Sequence, residues 1–466
     1  MLQWRIEASL ADIAAHKYES GFAFNLPRVS HRTAALYGVG SIGTAIFVIV
    51  PQLYLLFFMT DVLGIPPVMA GAVLLVPKIW EFVFDPLLGN WSDGLDTRWG
   101  RRAPLMVVGS VLFGVSFAGL FGPPVVESKA LQALVMGLIF LFSTSAYALF
   151  SIPYITIPAE MPDKGLCRVR TVSWRMAFVS VGILFAGTSA PLMVDRFGGG
   201  VEGFSIMGFV LAAIAAGTMA LAITALKKMP QRPASSHTLP LYHQVRMAAS
   251  NRPFLLLGAT YVLQLVATAI SLAMLPFFVK YVLQEKEALV TGVFAVFTFA
   301  SLLALPVTAW AARRFGEALA YQIATIIYGA GQIAILGSAL TGQSELFVLA
   351  MGVVGIGNAG QQLLPFAMLP RAIDLDRKKT GENREGAFTG FWIAGEKLGL
   401  ALGGFIAATV LSIAGFVEAG SEQITQPPSA IIAIAWQMSV IPGVLFLSSL
   451  WPLTRFETAL NGDTIK

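Results

Sequence analysis

Three ionisable residues share one side of an apolar helix. Lys78, Glu81 and Asp85 lie in a segment, residues 67–91, that is otherwise apolar and long enough to cross a bilayer. On a helix that advances about 100° per residue, their side chains fall within an arc of about 60°. Ionisable groups at membrane depth are costly unless they are paired or hydrated, and they are retained mostly where an ion, a proton or a substrate passes. The pattern therefore indicates a site for a cation or a proton.

The composition places this helix in an integral membrane protein. Of 466 residues, 56% are hydrophobic and only 12% are charged, and the mean hydropathy is +0.73. A soluble protein carries about 25% charged residues. The net charge is +5, but the basic residues are spread between apolar segments, which argues against a nucleic-acid-binding surface. The single cysteine, Cys167, excludes an internal disulfide.

The chemistry of an enzyme is not visible in the chain. All four histidines lie outside the apolar segments, and they make no metal-ligand spacing. No nucleophile, metal or cofactor motif stands inside the apolar segments, and no cofactor is expected. The residues predict neither a metalloenzyme nor any other enzyme.

The apolar segments predict an all-α membrane protein. A helix of about 20 apolar residues spans the hydrocarbon core of a bilayer, and longer ones span it with tilt. Twelve such segments are predicted at about residues 34–60, 67–91, 103–122, 130–160, 170–194, 203–226, 253–281, 287–312, 317–341, 345–371, 387–416 and 430–454.

The distribution of lysine and arginine predicts the orientation of these helices. If both termini are cytoplasmic, only four of the 31 basic residues lie on the external side: Lys129, Arg196, Lys280 and Lys286. Lys78 and Lys397 lie within membrane segments, and all the others lie on the cytoplasmic side. This asymmetry follows the positive-inside rule. We expect a multi-pass protein of the cell (inner) membrane.

The longest polar stretch divides the chain into two halves. We expect a cytoplasmic arm at 1–33, a six-helix bundle at 34–226, a cytoplasmic linker at 227–252, a second six-helix bundle at 253–455 and a tail at 456–466. This organisation resembles the major facilitator fold, in which two halves rock about a site near the midplane. We expect a monomer that binds a small-molecule solute within the lipid bilayer.

The loop after the second segment resembles the cytoplasmic signature of the major facilitator superfamily. It combines an acid, Asp93, with Arg98, Arg101 and Arg102. The acid can pair with an arginine or a helix end in one state and release it in another, so these residues are gating candidates. An ordinary positively charged loop is the alternative. Asp374, at the inner end of the tenth segment, is the candidate for a second gate.

Further motifs resemble the glycoside-pentoside-hexuronide cation symporters, over nearly the whole chain. They are Tyr37-Gly-x-Gly, Thr60-Asp61-Val-Leu-Gly64, Trp80-x4-Asp85-Pro86, Ile152-Pro153-Tyr154, Met368-Leu-Pro, Lys379-Thr-Gly381, Arg384-Glu-Gly386 and Glu396-Lys397-Leu-Gly-Leu. The resemblance implies cation-coupled transport by alternating access.

The resemblance also assigns roles to individual residues. Glu81 and Asp85 match the two cation-site acids, Lys397 and Lys78 match the basic residues near them, and Arg175 matches the arginine that reaches the sugar. Other positions depart from the family. Phe84 and Ala148 replace polar sodium-site residues, and Ala45, Ser151, Ile155, Gln362 and Trp392 replace sugar-site residues. The resemblance therefore makes a galactoside an unexpected substrate.

The coupling ion stays open between a proton and sodium. Two carboxyl groups one turn apart hinder each other's ionisation, which favours a proton on one of them. Sodium at Glu81 and Asp85 would need further oxygen ligands, of which few are visible. A purely structural ion network of Lys78, Glu81, Asp85 and Lys397 is the third interpretation.

The predicted function is import of a small organic solute, sugar-like or glycoside-like, by symport with a cation. The candidate substrate contacts are Arg175, Ser151, Tyr154, Gln362, Trp392, Asn358 and Gln361. For Asn358, Gln361 and Gln362, hydrogen bonds between helices are the favoured interpretation. For Tyr154 and Trp392, packing between aromatic rings is an equal alternative. The alternative function is symport of a lipid or lysolipid, which the loss of the sugar-binding acids favours.

Overall fold

The predicted twelve-helix organisation is confirmed. The computed structural model describes residues 29–95, 97–161, 166–229, 250–380, 385–420 and 424–462. Within these ranges, twelve helices are long and apolar enough to cross a membrane. In chain order, α1 to α12 span His31–Val62, Pro67–Gly89, Ala103–Phe121, Lys129–Thr156, Cys167–Arg196, Gly200–Lys228, Arg252–Val282, Ala288–Phe315, Glu317–Thr341, Ser344–Lys378, Phe388–Ile413 and Pro428–Leu460.

Polar residues at the helix starts supply hydrogen-bond acceptors that the apolar segments lack. The Ser30 hydroxyl accepts a hydrogen bond from the backbone N–H of Thr33 at the start of α1. The Asn251 side chain does the same for Phe254 at the start of α7. Such caps satisfy N–H groups that have no partner within the helix. The two halves thus begin with equivalent caps.

Glycines allow the helices of each half to approach closely. A Cβ atom on Gly182 of α5 would lie 2.7 Å from the Ala45 Cβ atom of α1. In the second half, a Cβ atom on Gly403 of α11 would lie 2.5 Å from the Ala269 Cβ atom of α7. Small residues at such crossings favour helix association by close packing. Glycine therefore permits close helix packing at these positions.

The helices α1 and α7 end in the same unusual way. The last five residues of each, Phe58–Val62 and Phe278–Val282, form a wider π-helical turn. The backbone then turns through a left-handed residue, Gly64 in the first half and Gln284 in the second. The two helices carry the same residues at several equivalent positions, beginning with Phe57-Phe58 and Phe277-Phe278. The two halves are structural repeats at this point.

Most of the described contacts between the halves come from three helix pairs: α1 with α7, α2 with α11, and α5 with α8. The aromatic rings of Phe57 and Phe277 meet edge to face with their centroids 5.0 Å apart. A Cβ atom on Gly71 of α2 would lie 2.9 Å from the Ala408 Cβ atom of α11. We call the face that carries the α1–α2 and α7–α8 turns the outer face, since the basic residues predict it to be external. The opposite face is the inner face.

Candidate functional site

The stripe on α2 meets Lys397 of α11. The Lys397 ammonium lies 3.0 Å from Glu81 Oε2 and also contacts Asp85 Oδ2. The Lys78 ammonium lies 2.6 Å from Glu81 Oε1. The three α2 residues are therefore on one side of the helix, as their spacing predicts. A lysine from the opposite half completes a cluster of four charges, the central cluster.

The four members of the central cluster differ in their surroundings. Glu81 is 2% exposed and has a lysine at each carboxylate oxygen, whereas Asp85 is 21% exposed and has only Lys397. The second oxygen of Asp85, Oδ1, is buried and has no hydrogen-bond partner in the described part of the chain. Two lysines balance two carboxylates. Asp85 is consequently the acid with spare hydrogen-bonding capacity.

Aromatic rings and small residues hold the cluster in place. The Lys78 ammonium lies 5.5 Å from the centroid of the Phe47 ring and 6.0 Å from that of Phe140, within cation–π range. About two turns from Lys397 toward the outer face, a Cβ atom on Gly404 would lie 3.2 Å from the Leu74 side chain. This close approach of α11 to α2 brings Lys397 within reach of the acids.

Arg175 is the basic residue among the predicted substrate contacts. It lies on α5, is partly exposed, and makes no hydrogen bond or ion pair with the described residues. Its charge acts on the hydroxyl groups of Tyr147 and Tyr154. An arginine held without a carboxylate partner can receive an anionic or polar group of a ligand.

A polar cleft lies between the halves. Its polar lining residues are Ser180 of α5, Thr298 and Ser301 of α8, and Asn358 and Gln362 of α10. The Asn358 amide donates a hydrogen bond to the Ser301 hydroxyl, and the Thr298 hydroxyl is buried without a partner among the described residues. Two predicted contacts, Asn358 and Gln362, therefore lie at the cleft. The motifs in the sequence gave no reason to single out Ser180, Thr298 or Ser301.

The other predicted contacts lie within one half. The Tyr154 hydroxyl is buried and donates a hydrogen bond to the Tyr37 carbonyl oxygen, and Ser151 is buried on the same helix. Gln361 is hydrogen-bonded to Thr268 of α7. Trp392 is 3% exposed and stacks on Tyr261 with the ring centroids 4.6 Å apart, and its buried indole N–H has no partner among the described residues. Their roles in substrate binding remain predictions.

At the inner face, the described contacts of the gating candidates join residues of the same half. Arg101 and Arg102 both pair with Glu160, at a distance of 2.9 Å for Arg101. Arg98 is exposed and lies 5.7 Å from the Trp99 ring centroid. Asp374 is exposed, while the nearby Arg371 pairs with Glu457 at 2.6 Å and with Glu317 at 3.4 Å. The side chain of Asp93 lies outside the described residues.

Sequence reasoning missed a second group of polar residues, at the outer face. Asp61 of α1 pairs with Lys280 of α7 at 2.5 Å and accepts a hydrogen bond from the Tyr281 hydroxyl. The Tyr54 hydroxyl donates a hydrogen bond of 2.7 Å to Glu287 Oε2. Both contacts cross between the halves. The signal that could have found them is the internal repeat, since Asp61 and Tyr281 occupy equivalent positions.

Comparison with known proteins agrees with this architecture. The family model described as "MFS/sugar transport protein" matches residues 36–459. A glucuronide carrier protein homolog of Escherichia coli (strain K12) is 24% identical, over 92% of this chain and 93% of that protein. An isoprimeverose transporter of Lactiplantibacillus pentosus is 24% identical, over 81% of this chain and 79% of that protein.

A solved structure has the same fold. The crystal structure of a D-xylose-proton symporter superposes with a TM-score of 0.65 at 13% identity, over 91% of this chain and 97% of that one. The family match covers most of the chain, and the motifs and the twelve helices agree with it. This chain is a membrane transporter of the symporter type and belongs to the MFS/sugar transport protein family, in its glycoside-pentoside-hexuronide branch.

Proposed function

We propose that this chain imports a sugar or glycoside together with protons, and that Asp85 is the residue that binds the proton. The observation that carries the proposal is the charge balance of the central cluster. Glu81 and Asp85 are matched by Lys78 and Lys397, so the cluster is neutral without any further cation. A sodium ion would have to displace an ammonium group, whereas a proton needs only one free carboxylate oxygen.

Asp85 supplies that oxygen. Its Oδ1 atom is buried and unpartnered among the described residues, whereas both oxygens of Glu81 face a lysine. A proton on Asp85 removes the negative charge that attracts Lys397 and leaves Lys397 paired with Glu81 alone. Since Lys397 belongs to the second half and Asp85 to the first, the protonation state of Asp85 changes the attraction between the halves. A proton can in this way drive a change between the outward-facing and inward-facing states.

The cleft and Arg175 support a substrate rich in hydroxyl groups. Neutral hydroxyl and amide side chains from α5, α8 and α10 line the cleft and can exchange hydrogen bonds with sugar hydroxyls. Arg175 can pair with a carboxylate or another anionic substituent. The relatives named above include a glucuronide carrier homolog and a transporter of isoprimeverose. We therefore propose an acidic sugar or glycoside, such as a glucuronide, as the preferred class.

Uptake by proteoliposomes tests this function. Vesicles are loaded at pH 8 and diluted into sodium-free buffer at pH 6 with radiolabelled methyl glucuronide, isoprimeverose or xylose. Accumulation above the external concentration supports proton symport. Accumulation only with an imposed sodium gradient contradicts the choice of proton, and uptake of lysophosphatidylcholine without any sugar uptake contradicts the choice of substrate.

The variant Asp85→Asn tests the residue assignment. We expect uphill uptake to be lost, because the amide cannot bind and release a proton, while exchange of preloaded substrate continues. Glu345→Gln, an exposed change at the start of α10, is the matched control and should retain both activities. If Asp85→Asn still concentrates substrate under a proton gradient, the assignment of Asp85 is wrong.

A further inference from the structure

The outer-face contacts form a compact group that joins the two halves. Asp61 is 3% exposed although it is an acid at the end of a membrane helix, and its partners Lys280 and Tyr281 both come from α7. The second contact, from Tyr54 to Glu287, lies next to the first, because the charges of Asp61 and Lys280 act on Glu287. We call these five residues the outer lock.

The outer lock is built on the repeated π-helical turns of α1 and α7. In both turns the backbone N–H after the helix bonds to the carbonyl five residues earlier, Leu63 to Phe58 and Leu283 to Phe278. The wider turn changes the direction of the side chains at the helix end, and such turns occur frequently at functional sites. Equivalent turns from two halves therefore place an acid opposite a lysine and a tyrosine.

The contacts of the lock must break if the outer face opens. Beneath it, the rings of Phe57 and Phe277 pack together, and the Thr291 hydroxyl of α8 donates a hydrogen bond to the Thr188 carbonyl oxygen of α5. The ion pairs that can be described at the inner face join residues of the same half. Among the described residues, the polar contacts between the halves thus lie at the central cluster and on its outer side.

Glu287 can make the lock sensitive to protons. It lies between α7 and α8, and the groups that act on it are Tyr54, Lys280, Asp61 and Asp195. Burial raises the pKa of Glu287 from 4.5 to about 7, and it outweighs the Tyr54 hydrogen bond and the Lys280 charge, which lower it. In an open state Glu287 would be hydrated and its pKa would lie near the ordinary value.

The sign of the effect follows from linkage. The closed state has the higher affinity for the proton, so protonation of Glu287 stabilises the closed state relative to the open one. This stabilisation is complete at a pH below the ordinary pKa and is lost as the pH rises through about 7. At alkaline pH the ionised carboxylate favours the hydrated, open arrangement.

We propose that the five residues of the outer lock form a gate between the halves, closed in this structure, and that proton binding to Glu287 from the external side holds it closed. The proton site is distinct from Asp85 of the central cluster. It would limit access to the transporter when the exterior is acidic.

Labelling of a half-buried thiol tests the gate without any substrate. In a Cys167→Ser background, Thr291→Cys places a thiol at the contact between α5 and α8, one turn below Glu287. A membrane-impermeant maleimide is added outside sealed vesicles at pH 6 and pH 8, and the labelling rate is compared with that of the same thiol carrying Glu287→Gln. The second variant has the same intrinsic thiol chemistry but no titrating carboxyl group.

We divide the labelling rate of the protein with Glu287 by that of the protein with Glu287→Gln. This ratio should rise about tenfold from pH 6 to pH 8. Glu285→Gln is the matched control, because Glu285 lies on the same turn but bonds to Ser344 within its own half. It should leave the pH dependence intact. A ratio that is the same at both pH values overturns the role of Glu287.

The ion pair of the lock is tested separately. Asp61→Asn and Lys280→Gln should each raise the labelling rate of the Thr291→Cys thiol several-fold at both pH values. The double variant Asp61→Lys, Lys280→Asp should return the rate toward the parent value. Rates that stay at the parent value in both single variants contradict the gate, whatever substrate the transporter carries.

Discussion

At the residue scale, Lys78 completes the charge balance of the central cluster. Lys78 and Lys397 each face one oxygen of Glu81, so this acid is held between two ammonium groups. Removing one partner of a buried charge pair leaves the other charge uncompensated, which is strongly unfavourable in a membrane. We therefore infer that the lysine on α2 takes the place that a bound cation would take.

This leads to a prediction for Lys78→Ala. The cluster would then carry two carboxylates and one lysine, and a sodium ion could replace the missing ammonium group. We expect the purified variant to be less stable than the parent in sodium-free buffer, by about 1–3 kcal/mol, and to regain stability with sodium. Thermal unfolding in sodium chloride and in choline chloride measures the difference.

The parent protein is the control for this prediction, and it should unfold at the same temperature in both salts. A variant whose unfolding temperature does not respond to sodium would contradict the interpretation of Lys78 as a resident cation.

The shared side of the three charges on α2 was predictable, but which lysine faces each carboxylate oxygen was not. Helical periodicity alone places Lys78, Glu81 and Asp85 on one side of α2. Which lysine faces which oxygen depends on the approach of α11, which is more than 300 residues away in the chain. The same applies to the free Oδ1 atom of Asp85, on which the choice of proton depends.

At the element scale, a buried amide ties three helices of the second half together. The Gln264 amide of α7 donates hydrogen bonds to Thr325 of α9 and Ser449 of α12, at 3.1 and 3.0 Å. Its carbonyl oxygen accepts a hydrogen bond of 2.8 Å from the Tyr321 hydroxyl. Its partners among the described residues are all on helices of its own half.

We therefore predict that Gln264→Leu lowers the free energy of unfolding by about 1–3 kcal/mol, because three buried partners lose a hydrogen bond. Transport affinity should stay unchanged in the protein that remains folded. Thermal unfolding and uptake kinetics measure the two effects. Gln52→Leu of α1, in a second pocket that Lys78 also lines, is a comparison in which no such triad is broken among the described residues. A normal stability with altered affinity would place Gln264 at the substrate instead.

The ends of α1 and α7 contain a feature of secondary structure that the sequence did not predict. Hydropathy predicted both helices to within a few residues, but it contains no signal for a π-helical turn. The repeated residues at 57–63 and 277–283 are visible in the chain, yet only the packed structure brings the two turns into contact. The outer lock is a consequence of that contact.

At the scale of the whole molecule, the two halves meet closely between α5 and α8. A Cβ atom on Gly187 would lie 2.0 Å from the Phe294 ring, so a side chain there has no room while the halves are closed. Since the ring belongs to the opposite half, the clash is relieved if the halves separate on the outer side. Gly187 is therefore a position at which a local change should alter the conformation of the entire protein.

We predict that Gly187→Val shifts the transporter toward the outward-open state. The labelling rate of the Thr291→Cys thiol from outside should rise several-fold, and the free energy of unfolding should fall by about 1–3 kcal/mol. Gly217→Val of α6 is the matched control, because a Cβ atom there meets nothing within 4 Å. If both variants label alike, the α5–α8 contact does not control opening.

The sequence by itself determined the class of the protein and the chemistry on α2. Twelve apolar segments, the asymmetry of basic residues and the spacing of three charges are local or additive properties, so they can be read along the chain. The tertiary structure decided which distant residues meet: Lys397 with Asp85, Lys280 with Asp61, and Tyr54 with Glu287. The physical reason is that such pairs depend on the packing and tilt of helices hundreds of residues apart, which periodicity does not encode.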